Sequence, residues 1–68
     1  MSIEIREINN GRVNVLATRE TFEDAKAFVR SINVGVCHME DDGDYPNCAD
    51  AFLNDGRVIA IQPVGFKL

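Results

Sequence analysis

Residues 21–32 read "TFEDAKAFVRSI", and the period of this stretch decides the fold. Phe22, Ala25, Phe28, Val29 and Ile32 recur at helical spacing and form one apolar stripe. Glu23, Lys26 and Arg30 fall outside that stripe, so the segment predicts an amphipathic helix over 21–32. Thr21 is the expected N-cap, with Asp24 three residues on in an approximate capping box. Glu20, Glu23 and Asp24 suit the positive end of the helix dipole, and Arg30 suits the negative end. Asn33 or Gly35 is expected to stop the helix in a left-handed conformation.

Outward from this helix the period falls to two. On its N-terminal side, "IEIREI" (3–8) sets Ile3 and Ile5 opposite Glu4 and Arg6, the pattern of a half-buried strand. "RVNVLAT" (12–18) sets Val13, Val15 and Ala17 opposite Asn14 and Thr18. Asn9-Asn10-Gly11 between them predicts a hairpin, because Asn-Gly accepts the positive φ angles of a type I′ turn. On the C-terminal side, "VGVCHM" (34–39) reads as a third strand, and an acidic loop follows. "ADAFL" (49–53) and "RVIAIQ" (57–62) flank Asn54-Asp55-Gly56 and predict a second hairpin. Pro63 ends or edges the last of these strands.

The order is β-β-α-β-β-β. One helix with one apolar stripe calls for one sheet, so the expected architecture is a small two-layer α+β domain spanning 1–68, with the helix on a mainly antiparallel sheet. A strand order of 2-1-3-4-5 would make all neighbours antiparallel. In the tail "VGFKL", Val64, Phe66 and Leu68 alternate with Gly65 and Lys67. A single short helix cannot cover a wide sheet, so residues 64–68 are expected to be ordered, as a sixth strand or against a second subunit.

A chain of 68 residues makes one small domain of limited stability unless a metal, a disulfide or a partner assists it. Its 46% apolar content suits a globular protein. No run is apolar and long enough to cross a membrane, and the alternating N-terminus does not read as a signal peptide. The expected location is therefore the cytoplasm, where two cysteines are free thiols rather than a bridge. The net charge is −4, and five of the eleven acidic residues (Glu40, Asp41, Asp42, Asp44 and Asp50) lie together with no Lys or Arg among them. An acidic chain without a basic stripe argues against nucleic acid as a partner.

"CHMEDDGDYPNC" (37–48) collects both cysteines and the only histidine and tyrosine. Cys37, His38 and Cys48 are too few for zinc, which prefers four N or S ligands, and Cys37 and His38 should point to opposite faces of a strand unless it is bulged. The acids around Cys48 oppose thiolate formation, so a redox or nucleophilic role lacks support. The loop is rich in oxygen ligands, with Asp42 and Asp44 the candidates, but lacks the spacing of an EF-hand. Asp42-Gly43-Asp44 also reads as turn chemistry. No metal and no cofactor is expected. Glu4 and Glu7 read as exposed strand residues, and no phosphate-binding or nucleophile-elbow motif is present.

The sequence thus points to a non-enzymatic interaction module, a homodimer or a protein-binding domain, with Tyr45, Val64, Phe66 and Leu68 as candidate contact residues. The alternative is a weak metal-binding or thiol-dependent protein centred on Cys37, His38, Asp42, Asp44 and Cys48.

Overall fold

The computed structural model describes residues 2–32 and 35–66, with only the backbone of Cys37. The elements are β1 (Ile3–Asn9), β2 (Arg12–Arg19), α1 (Phe22–Ser31), β3 (Val36–Asp41), β4 (Ala49–Leu53) and β5 (Val58–Pro63). The five strands form one sheet in which every hydrogen-bonded pair is antiparallel, and α1 packs on one of its faces. This is the two-layer α+β architecture that the periods imply.

Local chemistry sets the elements. Asn10 (φ 51°) and Gly11 (φ 78°) take the left-handed angles of the tight β1–β2 turn. Thr21 caps α1, its Oγ1 accepting from the Asp24 N–H at 3.1 Å. The helix ends differently from expectation. Ile32 is extended (φ −79°, ψ 137°), and its N–H donates to the Phe28 carbonyl. The left-handed residue comes three positions later, at Gly35 (φ 75°), while Asn33 lies outside the described residues. A Cβ on Gly35 would stand 2.7 Å from the Asn54 side-chain oxygen, so glycine is required there on two counts.

The sheet order is β2-β1-β5-β4-β3, which corrects the expected 2-1-3-4-5. Strand direction permits either order. Composition decides it, because β5 is apolar on both sides and belongs inside the sheet, whereas β3 carries His38, Glu40 and Asp41 and suits an edge. The chain must then cross from the β2 edge to the β3 edge, about 19 Å for strands spaced about 4.8 Å apart, and a ten-residue helix supplies about 15 Å of that span.

The core lies between α1 and the sheet. Ala25 and Val29 are the fully buried residues of the helix, and they meet Ile3 and Ile5 of β1 and Ile59 and Ile61 of β5. Ala49, Ala51 and Leu53 of β4 complete the layer. Phe22, Phe28 and Ile32, expected inside, are only partly buried. Phe28 lies under the Arg19 guanidinium at 4.6 Å, and Phe22 under Lys26 Nζ at 4.5 Å. No polar or charged side chain among the described residues is buried.

Two further expectations change. In β2, Leu16 is an extra residue: Ile5 pairs with Ala17, but Arg6 pairs with Val15. This bulge flips the phase, so Ala17 faces the helix while Val13 and Val15 face the other way. In the tail, Val64 and Gly65 turn rather than extend: the Val64 N–H donates to the Ser2 carbonyl and the Phe66 N–H to that of Pro63. The described part of the tail is therefore not a sixth strand, and Lys67 and Leu68 lie outside the described residues.

Candidate functional site

The acidic loop directs much of its chemistry inward. Asp42 Oδ1 accepts from the backbone N–H groups of Asp44 (2.8 Å) and Tyr45 (3.2 Å), forming an Asx turn. The Asp42 N–H donates to the Cys48 carbonyl at 2.8 Å and closes the loop. Tyr45 stands edge-on to Phe66, with ring centroids 5.3 Å apart, which ties the loop to the C-terminal turn. Asp41 faces the helix side, 3.4 Å from Lys26 Nζ.

Among the described residues, the predicted ligands do not converge. Cys48 is buried at the start of β4, and burial, then Asp42 and Asp50, push its thiol above the ordinary range. His38 stands exposed on the opposite side of the sheet from α1, stacked on Phe52 at 6.1 Å, with Nε2 3.7 Å from Glu40 Oε2. A bulge does occur in β3 between Val36 and His38, at Cys37, whose side chain lies outside the described residues. Among the described residues no three His, Cys, Asp or Glu side chains are grouped to hold a metal ion. Glu4 and Glu7, expected to be exposed, are each half-buried in an ion pair, Glu4 with Arg6 and Glu7 with Arg57 at 3.0 Å.

The second locus is the sheet face away from α1. Register and side-chain alternation arrange this face in rows across the strands. Val13, Ile8, Val58, Phe52 and His38 form one row from β2 to β3, near the two hairpin turns. The next row is Val15, Arg6, Ala60, Asp50 and Glu40. No described element lies over either row. Ile8, Val13, Val15 and Phe52 consequently expose between 37% and 55% of their surface. The charge in the second row is divided. Arg6 is its one base, on β1, and the acids Asp50 and Glu40 lie on β4 and β3. The Asp50 carboxyl is held above the usual range by burial, then by Asp42 and Glu40.

Of the contact residues expected from sequence, Tyr45 and Phe66 come together, Val64 is 54% exposed, and Leu68 lies outside the described residues. Tyr45, Val64 and Phe66 do not belong to the open-face rows. Sequence reasoning placed the surplus apolar surface in the tail and missed Ile8, Val13, Val15, Phe52 and Val58. One signal was available: "VIAI" is apolar at every position, as expected of a strand with apolar residues on both faces.

No family model matches the chain, and no curated protein or solved structure matches it.

Proposed function

We propose that this chain is a non-enzymatic interaction module whose working surface is the open face of the sheet. One observation carries the reading: a five-stranded sheet is covered by α1 on one side, while the other side presents a continuous apolar row to water. The largest apolar patch on a typical monomer is about 300–600 Å² and is often functional. Ile8, Val13, Val15 and Phe52 leave on the order of 300 Å² of mostly apolar surface exposed, and covering it is worth up to about 7 kcal/mol per chain at about 25 cal/mol/Å². The match for such a surface is another protein, either a second copy of this chain or a different one. The raised thiol of Cys48 and the inward bonding of Asp42 favour this reading over a thiol or metal function.

Amide NMR of the purified chain over a concentration series, beside a Phe52→Glu variant, tests the surface. The expected result is a set of concentration-dependent shifts at Ile8, Val13, Phe52 and Val58 that the variant loses while its other resonances persist. Concentration-dependent shifts that instead map to α1 would refute it, whereas a wild-type spectrum unchanged at every concentration would exclude a second copy and leave a different protein as the partner.

A further inference from the structure

We infer that the occupant of the open face is a second copy of this chain, laid face to face about a two-fold axis running along β5. This inference rests on the reading of that face as the working surface and adds the partner and the register.

The reason is self-complementarity. A two-fold contact requires that if one position meets another, the second also meets the first. β5 is the middle strand of the order β2-β1-β5-β4-β3, so a two-fold axis along it exchanges β1 with β4 and β2 with β3 of the partner copy. Rows are preserved by this operation. Arg6 and Asp50 both pair with Ala60, from opposite sides of β5. Arg6 of each copy therefore falls opposite Asp50 of the other. In the apolar row, Ile8 and Phe52 both pair with Val58, so they also exchange. Val58 and Ala60 lie on the axis and meet their own copies. The small Ala60 allows close approach at the centre.

The operation brings a base to an acid that has no ion pair among the described residues. Asp50 sits among Asp42 and Glu40, and no base in its own row stands beside it. Arg6 bonds Glu4 through Nε, which leaves its terminal nitrogens as donors for a second carboxylate. A two-fold axis across the strands would instead stack each strand on itself. It would overlap the copies only near the hairpin turns if the apolar rows were kept together, and Arg6 would not meet Asp50.

The size of the face sets the strength. Five strands about 4.8 Å apart and six residues of about 3.3 Å give on the order of 500 Å² per copy, or about 1,000 Å² for the pair. That lies at the lower bound for a specific interface, so the dimer should be weak and reversible. Two sheets packed face to face lie about 10 Å apart, and their usual crossing of about 30° tilts the axis by about 15° from β5.

Sedimentation equilibrium with charge-exchanged variants tests both partner and register. Arg6→Asp alone sets carboxylate against carboxylate at both symmetry-related contacts, and Asp50→Arg alone sets guanidinium against guanidinium there. Each is expected to weaken self-association at least tenfold, and an equimolar mixture is expected to regain it. Because Arg6→Asp also breaks the pair with Glu4, a second set keeps Arg6 intact: Ile8→Lys and Phe52→Glu, both at half-exposed positions, should fail singly and associate when mixed. Circular dichroism confirms that each variant is folded. A monomeric wild type overturns the inference. Wild-type association lost in Phe52→Glu, with neither mixture tighter than its members, overturns the register and the axis but leaves the open face as the contact surface. Association that no open-face variant alters, as pairing through the free edge of β2 would give, overturns both readings.

Discussion

Two adjacent helix residues should lose similar stability although they differ greatly in size. Val29 is fully buried, and Phe28 is partly buried beneath Arg19. Val29→Ala removes two carbons from a closed site, about 1.6 kcal/mol in transfer plus about 1 kcal/mol for the cavity, together about 2.5 kcal/mol. A fully buried Phe→Ala change costs about 3–5 kcal/mol. With part of the ring in water, about half of that applies, and the lost cation–π contact adds about 0.5–1 kcal/mol at an exposed site. The expected cost of Phe28→Ala is therefore about 2–3.5 kcal/mol, close to that of Val29→Ala. For a 68-residue domain whose total stability is about 3–10 kcal/mol, either loss is severe. Urea unfolding followed by circular dichroism, at a protein concentration low enough to hold the chain monomeric, measures both. The cycle with Arg19→Ala should show a coupling of about 0.5–1 kcal/mol to Phe28 and none to Val29. A Phe28→Ala cost above about 4 kcal/mol with Val29→Ala below about 1 kcal/mol would show that the helix is rotated from the orientation described.

Asp42→Asn should leave stability nearly unchanged in thermal melts, because an amide oxygen can still accept from Asp44 and Tyr45, whereas Asp42→Ala should cost about 1 kcal/mol. Asp50 has a raised carboxyl in the fold, so its ionisation opposes folding and its contribution improves as pH falls toward the ordinary carboxylate value. In dilute, monomeric protein, Asp50→Asn should therefore raise the melting temperature at neutral pH, with the difference vanishing in acid. Asp55 has the opposite sign: its carboxyl is lowered, chiefly by the Arg57 backbone N–H, so the stability it adds is present above the ordinary carboxylate value and is lost as pH falls through the lowered one. Asp55→Asn should flatten that part of the acid limb of the stability–pH curve. Gly35→Ala should cost at least about 1 kcal/mol by urea titration, from its positive φ and its contact with Asn54.

Much of the fold was legible because its signals are local. The Asn10-Gly11 turn, the Thr21 cap and the stripe through Ala25 and Val29 each involve residues close in sequence. The strand order was not legible from direction alone, since β3 and β5 are both antiparallel to β1. It was legible in part from composition, because a strand apolar at four consecutive positions is poorly suited to an edge. The bulge at Leu16 left no local mark. Val13, Val15 and Ala17 keep a perfect alternation in sequence, and only pairing with β1 reveals that the phase breaks between them. That one inserted residue moved two valines from the expected core face to the open face. The candidate site was hidden for the same reason, since its rows join five strands and exist only once the register is set. The acidic loop, by contrast, was visible as composition, and the turn chemistry of Asp42-Gly43-Asp44 was legible too: Asp42 accepts from the Asp44 and Tyr45 N–H groups.

The distribution of charge explains how an uncovered sheet face can be tolerated and why contact would favour that face over the edges. A free strand edge is the usual route to uncontrolled sheet growth. Here the β2 edge is bent by the Leu16 bulge and carries Arg12 and Arg19 at its ends, and the β3 edge carries Glu40 and Asp41. Both are devices that discourage strand addition. The open face is protected differently, with its apolar row confined to the hairpin end and Arg6, Asp50 and Glu40 interrupting the next row. Those charges limit indiscriminate association, because a partner that covered Asp50 without offering a base would leave a buried, unpaired carboxylate. A copy of the same chain in the proposed register offers Arg6 there. The polar row would then act as the selector and the apolar row as the source of affinity, a division of labour that a charge reversal at position 6 or 50 separates from a simple loss of apolar contact.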